Sequence, residues 1–304
     1  MRWLTPEAEH MGLGTLGCQG CGGALSMRLV LKEVGSDAIA VLPACCWSII
    51  DGPWPVHSLD IPVFHTAFET AAVVASGIKA AKQIKGVDTT VLAWAGDGGT
   101  FDIGLQALSG AAERNEDIIF ICYDNEAYMN TGIQRSSATP AGAWTTTTPD
   151  QRPEPRPKKD IMEIMAAHRI PYAATATVAY PDDLARKVRI ALEMKGGMRF
   201  LHLLSACPPG WRMEADEAIE SMRRAVQAKV FPLFEIRHGR RYQITQWPAA
   251  DATTLEDYLS IQGRFKTLLG DPEMLDKVRA AVEERWEMLV GRHEAGLSVV
   301  GSGL

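Results

Sequence analysis

Thr89-Thr90-Val91-Leu92-Ala93-Trp94-Ala95-Gly96-Asp97-Gly98-Gly99-Thr100 decides the fold. Its first seven residues form an apolar run of strand length, and the glycines that follow break it. Upstream, Cys18-Gln19-Gly20-Cys21-Gly22-Gly23 is a Gly-rich loop that feeds a predicted helix from Ala24 to Val34. Leu25, Leu29, Val30 and Leu31 give that helix its apolar spacing, and Gly35 ends it. Ile39 to Leu42 reads as a short buried strand stopping at Pro43, and Thr66 to Ile84 as an Ala-rich helix. Downstream, Gly104 to Arg114 reads as a helix and Asp117 to Tyr123 as a buried strand of the parallel type. Strand, Gly loop, helix, strand is a βαβ unit. It repeats as helix Asp160 to Ala167, strand Ala173 to Val178, helix Asp182 to Met194 and strand Phe200 to Ser205, closed by Pro208-Pro209-Gly210-Trp211. The expected fold class is therefore α/β, a doubly wound, mostly parallel sheet.

Residues 1–230 are expected to form this α/β domain and residues 231–304 a C-terminal extension covering a partner. Charged helical stretches from Glu214 to Lys229 and from Thr254 to Gly291 give the tail the character of a helical arm. Between Gln134 and Lys159 the pattern collapses into Thr, Pro and charged residues, with Ala143-Trp144-Thr145-Thr146-Thr147-Thr148-Pro149 followed by Pro153 and Pro155. That stretch is expected to be a functional or partner-covering loop, outside the core.

A chain of 304 residues is long enough to bury roughly three quarters of its unfolded surface. With 46% hydrophobic and 22% charged residues the composition is that of a soluble globular protein. The net charge of −6 argues against nucleic acid as a partner. The densest basic stretch, Arg237, His238, Arg240 and Arg241, reads as a solvated loop. No run of about 18 apolar residues predicts a membrane span, and Met1 to Met11 lacks a signal pattern, so a cytoplasmic location is expected. In that reducing compartment, close pairs among the six cysteines point to metal or redox chemistry.

The loop after the first quoted strand carries chemistry. Gly96, Gly98 and Gly99 let the backbone approach a diphosphate closely, and free amide N–H groups at a helix start cradle it. Asp97 offers a hard anionic oxygen of the kind Mg²⁺ takes alongside phosphate oxygens. Alone, Gly-Asp-Gly is a common surface turn. Twenty-eight residues later, after the next apolar strand, stands Asp124-Asn125-Glu126-Ala127-Tyr128-Met129-Asn130-Thr131-Gly132. Adjacent parallel strands end at one sheet edge, so Asp97 and Asn125 can meet around one ion. Gly-Asp-Gly with Asn at this spacing is the thiamine diphosphate signature, in which Mg²⁺ is held by Asp97, the Asn125 side-chain oxygen and the Ala127 carbonyl.

The cysteines form a second constellation. Cys18-X-X-Cys21 with Cys45-Cys46 is open to zinc, a redox dithiol or an iron–sulfur cluster. Cys207, followed by Pro208, supplies a fourth thiolate for a [4Fe–4S] cluster. Cys122, inside an apolar strand, reads as a small buried hydrophobe.

The runs from Gly96 to Gly110 and from Tyr123 to Ser136 resemble the β subunits of the pyruvate:ferredoxin (2-oxoacid:ferredoxin) oxidoreductase family almost letter for letter. The likeness extends from Gly17 to the segment Tyr258–Lys266. The resemblance implies a diphosphate-binding thiamine domain and oxidative decarboxylation of a 2-oxoacid on thiamine diphosphate, with Mg²⁺ and a proximal [4Fe–4S] cluster that takes the electrons. It carries the cluster ligands over to Cys18, Cys21, Cys46 and Cys207, with Cys45 as a neighbour. Asp97, Asn125 and the Ala127 carbonyl match the Mg²⁺ ligands. Asn130 matches a polar catalytic side chain facing the thiazolium end and the substrate, and Thr131 and Gly132 line the same turn. It also implies partners: an α subunit bringing the pyrimidine-binding domain and its catalytic Glu, γ and ferredoxin-like δ subunits, ferredoxin as acceptor, and coenzyme A as a candidate co-substrate. Glu69 is read as structural or partner-facing, so the isolated chain should be inactive.

One departure bears on the substrate. Where the family has a small polar stretch after the third Cys, this chain has Trp47-Ser48-Ile49-Ile50-Asp51-Gly52-Pro53-Trp54-Pro55. An aromatic loop beside a cluster ligand sets an aryl oxoacid, or a small diacid such as oxalate, beside pyruvate. Packing of Trp47 and Trp54 on a partner is the plainer alternative. Two other readings stand against the whole: a thiamine-dependent decarboxylating component without a cluster, and a non-catalytic electron-relay subunit.

Overall fold

The structure is a computed structural model that describes residues 5–53, 55–250 and 252–301. Its elements, in chain order, are α1 (Gly22–Val34), β1 (Ala38–Pro43), α2 (Trp47–Ile50), β2 (Val63–Thr66), α3 (Ala71–Ile84), β3 (Thr90–Gly96), α4 (Leu105–Glu113) and β4 (Ile119–Asp124). There follow α5 (Ile161–Ala167), β5 (Tyr172–Thr177), α6 (Pro181–Glu193), β6 (Arg199–Leu204), α7 (Pro208–Trp211), α8 (Ala218–Gln227), β7 (Leu233–Arg237), β8 (Arg241–Gln246), α9 (Leu255–Ser260), α10 (Lys266–Leu269) and α11 (Pro272–Gly301).

The strands make one eight-stranded sheet in the order β2-β1-β3-β4-β6-β5-β7-β8. The six from β2 to β5 pair in parallel, while β7 runs antiparallel to both β5 and β8. β3 and β4 are buried at almost every position, which is why both read as continuous apolar runs. Each face of the sheet carries its own core. Met27, Trp47, Trp94 and Trp211 belong to one, and Phe101, Phe120, Phe200 and Ile236 to the other.

The chain leaves β1 toward β2 on one side and returns through β3 toward β4 on the other. The direction of winding therefore reverses between β1 and β3. A crevice opens at such a point outside the carboxyl ends of the strands.

Three sequence expectations need correction. Residues 63–66 are a strand, and α3 starts only at Ala71. The β-branched and aromatic Val63-Phe64-His65-Thr66 pairs with the edge of β1, leaving Glu69 exposed ahead of the helix. The extension after residue 230 opens with a β-hairpin where only a helical arm was expected, and its turn holds the basic stretch 237–241, exposed as a solvated loop should be, with His238 and Gly239 at φ 51° and 64°. Positive φ at both central residues gives a turn the twist that a two-strand ribbon needs. The sheet consequently continues across residue 230, and α11 lies along β8 with Leu289 buried in the second core. Finally, the segment from Gln134 to Lys159 has no regular structure but folds into the protein: Ser136, Thr139, Ala143 and Glu154 are almost fully buried. No helix among the described residues is long and apolar enough to cross a membrane.

Candidate active site and cysteine cavity

The loops after β1, β2, β3 and β4 enclose a cavity of about 620 Å³ at the crevice. Of the residues singled out from the sequence, Gly96, Asp97, Gly98, Gly99, Asn125, Ala127, Asn130 and Thr131 line it. Gly132 does not; it faces a second cavity, described below. After β3 the chain makes one π-helical turn, Gly98–Asp102, a distortion that recurs at functional sites. A side chain at 98 would collide with the Tyr128 ring, and Tyr128 Oη is tied to Asp102 by a 2.8 Å bond. Glycine at 98 thus lets the Tyr128 loop close over the turn.

Asp97 is buried, and its Oδ2 accepts a hydrogen bond from Ser136 Oγ. Its Oδ1 faces the end of the Asn125 side chain. The Asn125 side-chain oxygen lies 2.9 Å from Asp97 Oδ1 and 3.0 Å from the Ala127 carbonyl. An amide oxygen this close to two other acceptors is repelled unless a cation sits between them, and with none there the amide turns over so that Nδ2 donates to both. The spacing matches the cis edge of an octahedron, about 2.9 Å for metal–oxygen bonds of about 2.0–2.1 Å. The donor set fits Mg²⁺. Burial, and then the nearby Asp124 charge, raise the Asp97 carboxyl well above its ordinary range, so a cation there relieves a real electrostatic deficit.

The backbone that presents Asn125 and Ala127 turns through Glu126 at φ 68°. Glu126 is buried and clamped: Lys158 Nζ lies 2.8 Å from one oxygen and Arg264 2.6 Å from the other, while its carbonyl accepts from Thr139 at 2.7 Å. Lys158 also pairs with Asp124, which bonds His202 at 2.7 Å. Burial works to raise the Asp124 pKa, but Lys158 and His202 hold it down to about 2.

Glu126→Ala should cost about 3 kcal/mol of stability, because Arg264 loses its anionic partner inside the core and keeps the neutral Gln262 oxygen and the Trp211 and Phe265 rings. For a chain of 304 residues that corresponds to a melting temperature lower by roughly 5 °C. Glu126→Gly should fall less far, since glycine takes a positive φ without strain. Equal losses in the two variants would remove the backbone part of this account.

Behind the first cavity lies a second, of about 340 Å³, lined by Cys18, Cys21, Cys46 and Cys207. Cys45 lines only the first cavity. Three of the four thiols occupy the residue before a helix: Cys21 before α1, Cys46 before α2 and Cys207 before α7. Cys21 Sγ accepts the Ala24 N–H at 3.4 Å. Gly22 explains how Cys21 meets Cys207 across the chain. Its N–H bonds the Ala206 carbonyl at 2.9 Å, and a Cβ there would strike the Ala206 backbone. Burial, with the neighbouring thiols adding to it, pushes Cys46 up to about 12; burial likewise pushes Cys207 up to about 11. Among the described residues no three His, Cys, Asp or Glu converge on a single ion. The four thiols share the lining of one cavity, and four thiolates are a donor set that an iron–sulfur group takes.

A family model for the C-terminal TPP-binding domain of thiamine pyrophosphate enzymes matches residues 52–203. The chain is 51% identical to ketoisovalerate oxidoreductase subunit VorB of Pyrococcus furiosus, over 95% of this chain and 94% of that one. It is 46% identical to pyruvate synthase subunit PorB of Methanocaldococcus jannaschii, over 93% and 97%. The chain belongs to the β-subunit family of the thiamine-dependent 2-oxoacid:ferredoxin oxidoreductases. A solved 2-oxoglutarate:ferredoxin oxidoreductase from Magnetococcus marinus shares the fold, with a TM-score of 0.59 at 22% identity, covering 89% of this chain and 92% of that one.

As a β subunit of that family, the chain corrects one more expectation. Trp47 reaches neither cavity and no external surface. It is fully buried, edge-on to Trp94 with ring centroids 6.2 Å apart. The aromatic argument for an aryl substrate therefore loses Trp47, and Trp54 lies outside the described residues. Sequence reasoning missed the site roles of Ser136, of the Glu126 clamp and of Trp211, whose Nε1 donates to the Asn125 carbonyl at 2.9 Å. Ser136 ends the long quoted run, which was the available signal. The clamp joins residues 126, 158 and 264, a separation no local pattern exposes.

Proposed function

We propose that this β subunit holds Mg²⁺–thiamine diphosphate in the first cavity and a [4Fe–4S] cluster in the second, within a complex that oxidatively decarboxylates a short aliphatic 2-oxoacid and reduces ferredoxin. One observation carries the reading: the two cavities are back to back, with Cys46, Tyr123, Asn125, Met129 and Asn130 lining both. A group in one is separated from a group in the other by single side chains.

When bound, thiamine diphosphate acts as the electron sink for decarboxylation. The chain's own residues do the positioning. Asp97, Asn125 and the Ala127 carbonyl would hold the Mg²⁺ that neutralises the diphosphate, and the turn at Gly98–Asp102 brings backbone close to it. Asn130, in the shared wall, would be the polar side chain toward the reacting end of the cofactor. Cys18, Cys21, Cys46 and Cys207 would hold the cluster, the N-terminus of α1 favouring its negative charge. The α, γ and δ subunits are proposed to supply the pyrimidine-side glutamate and the onward clusters. The second domain boundary is proposed at the hairpin's far end, after β8, since β7 and β8 belong to the sheet.

A short aliphatic acid is favoured because the relatives are named for ketoisovalerate and pyruvate and because Trp47 lies in the core. The test is ferredoxin reduction by the anaerobically purified complex with pyruvate, 3-methyl-2-oxobutanoate, oxalate and phenylglyoxylate, beside its thiamine diphosphate content. One cofactor per β subunit and at least tenfold preference for one of the two aliphatic acids is expected. Preference for oxalate or phenylglyoxylate would overturn the substrate class, and absence of the cofactor would overturn the site.

A further inference from the structure

Asn125 lines both cavities, and its two chemically different ends are set against different groups. Its side-chain oxygen faces Asp97 Oδ1 and the Ala127 carbonyl at 2.9 and 3.0 Å. Its Nδ2 faces Cys46 Sγ at 4.0 Å, the outer limit of an N–H···S contact. The amide is planar and nearly symmetric in shape, so a half-turn exchanges the two ends without moving anything else.

Which end points where depends on what lies between the oxygens. With no cation, the half-turned amide is preferred: Nδ2 then donates to both Asp97 Oδ1 and the Ala127 carbonyl, and the oxygen is left beside Cys46. With a divalent cation bound, the amide must show its oxygen, since a nitrogen carrying two hydrogens is no ligand. The N–H then points at the Cys46 sulfur.

We propose that Asn125 is a cation-gated hydrogen-bond donor to Cys46, so that filling the diphosphate site raises the reduction potential of the cluster behind it. The inference rests on the cofactor and cluster assignments proposed above. Its physical basis is that hydrogen bonds to ligating sulfur stabilise the reduced, more negative cluster, while a carbonyl oxygen beside that sulfur does the reverse. The consequence is directional. The cluster becomes a better acceptor when the cofactor is in place, and a poorer one when the site is empty. The carbonyl of Asn125 is fixed by Trp211 Nε1 at 2.9 Å and the following residue by its clamp, so the side-chain torsion is the part left free to respond.

The experiment uses the intact complex. The signal of this subunit's cluster is the electron paramagnetic resonance feature lost in Cys46→Ala. Its midpoint potential is measured with and without Mg²⁺ and thiamine diphosphate, in the wild type and in Asn125→Asp. The aspartate retains an oxygen for the cation and has no N–H. The field of the bound ions acts in both proteins, so a positive shift on loading that is larger in the wild type than in the variant is expected. In deuterated water, the wild type should also gain an exchangeable-deuteron coupling at the cluster on loading. Equal shifts in the two proteins, or a deuteron coupling indifferent to loading, would overturn the gating while leaving the cluster assignment standing. If Cys46→Ala removes no signal, the cluster assignment itself fails, and the gating with it. The deuteron measurement needs only the wild type, so the proposal remains testable if the aspartate variant binds cofactor poorly.

Discussion

Asp97→Ala is expected to abolish Mg²⁺-dependent binding of thiamine diphosphate and to lower turnover by at least about 10³-fold. A cation that neutralises phosphate oxygens contributes several kcal/mol, and each 1.36 kcal/mol is about tenfold. Asp97 brings the only anionic oxygen to the three-oxygen set it forms with Asn125 and Ala127. The diagnostic part is the stability pattern. In the ligand-free protein Asp97 is a buried carboxylate beside Asp124, with Ser136 bonding one oxygen. Removing it takes away a poorly compensated charge, so the unliganded melting temperature should hold or rise. The rise on adding Mg²⁺ and thiamine diphosphate should vanish. In the wild type, ligand at a hundredfold excess over its dissociation constant stabilises by about 2.7 kcal/mol. A drop in unliganded stability together with retained cofactor binding would show that Asp97 is a structural residue.

Cys46→Ala is expected to remove about four iron atoms per β subunit and all ferredoxin reduction, while Cys45→Ala keeps both. The two residues are neighbours in sequence, yet only Cys46 lines the cavity with Cys18, Cys21 and Cys207. Cys45 turns toward the cofactor cavity and the Tyr123 hydroxyl, and its N–H donates to Ser48 Oγ at 2.9 Å. Thiamine diphosphate should remain in the Cys46 variant, because Asp97 and the Gly98–Asp102 turn are untouched. Iron and sulfide assays beside cofactor content decide the matter. Iron lost from the Cys45 variant and kept in the Cys46 variant would reverse the assignment.

The elements legible in the sequence are those whose signal is local. β3 and β4 are uninterrupted apolar runs bounded by Gly96 and Asp124-Asn125, and α6 begins at Pro181 with two acidic residues in its first turn. β2 was missed because an edge strand of four residues has little pattern to show and abuts the Ala-rich helix. The β7–β8 hairpin was missed although Tyr242 and Ile244 alternate inward and Gly239 sits in the turn. Its arginines drew the reading toward solvent, which their side chains do occupy at the turn.

The sequence by itself determined the α/β class with a mostly parallel sheet, the glycine turn after β3 and the Asp97–Asn125 pair, since each is carried by residue type at fixed spacing, and the family resemblance added the four cysteines as a set. The tertiary structure set Cys46, the residue the resemblance had chosen over Cys45, beside the other thiols, and it alone decided that Trp47 belongs to the core and that the stretch after Gln134 is folded inward. It alone joined Glu126 to Lys158 and Arg264 and put one amide, Asn125, between two cavities. The physical reason is the same throughout. A side chain's direction within a loop depends on partners brought there by sheet pairing and helix packing, and those partners lie tens to hundreds of residues away along the chain.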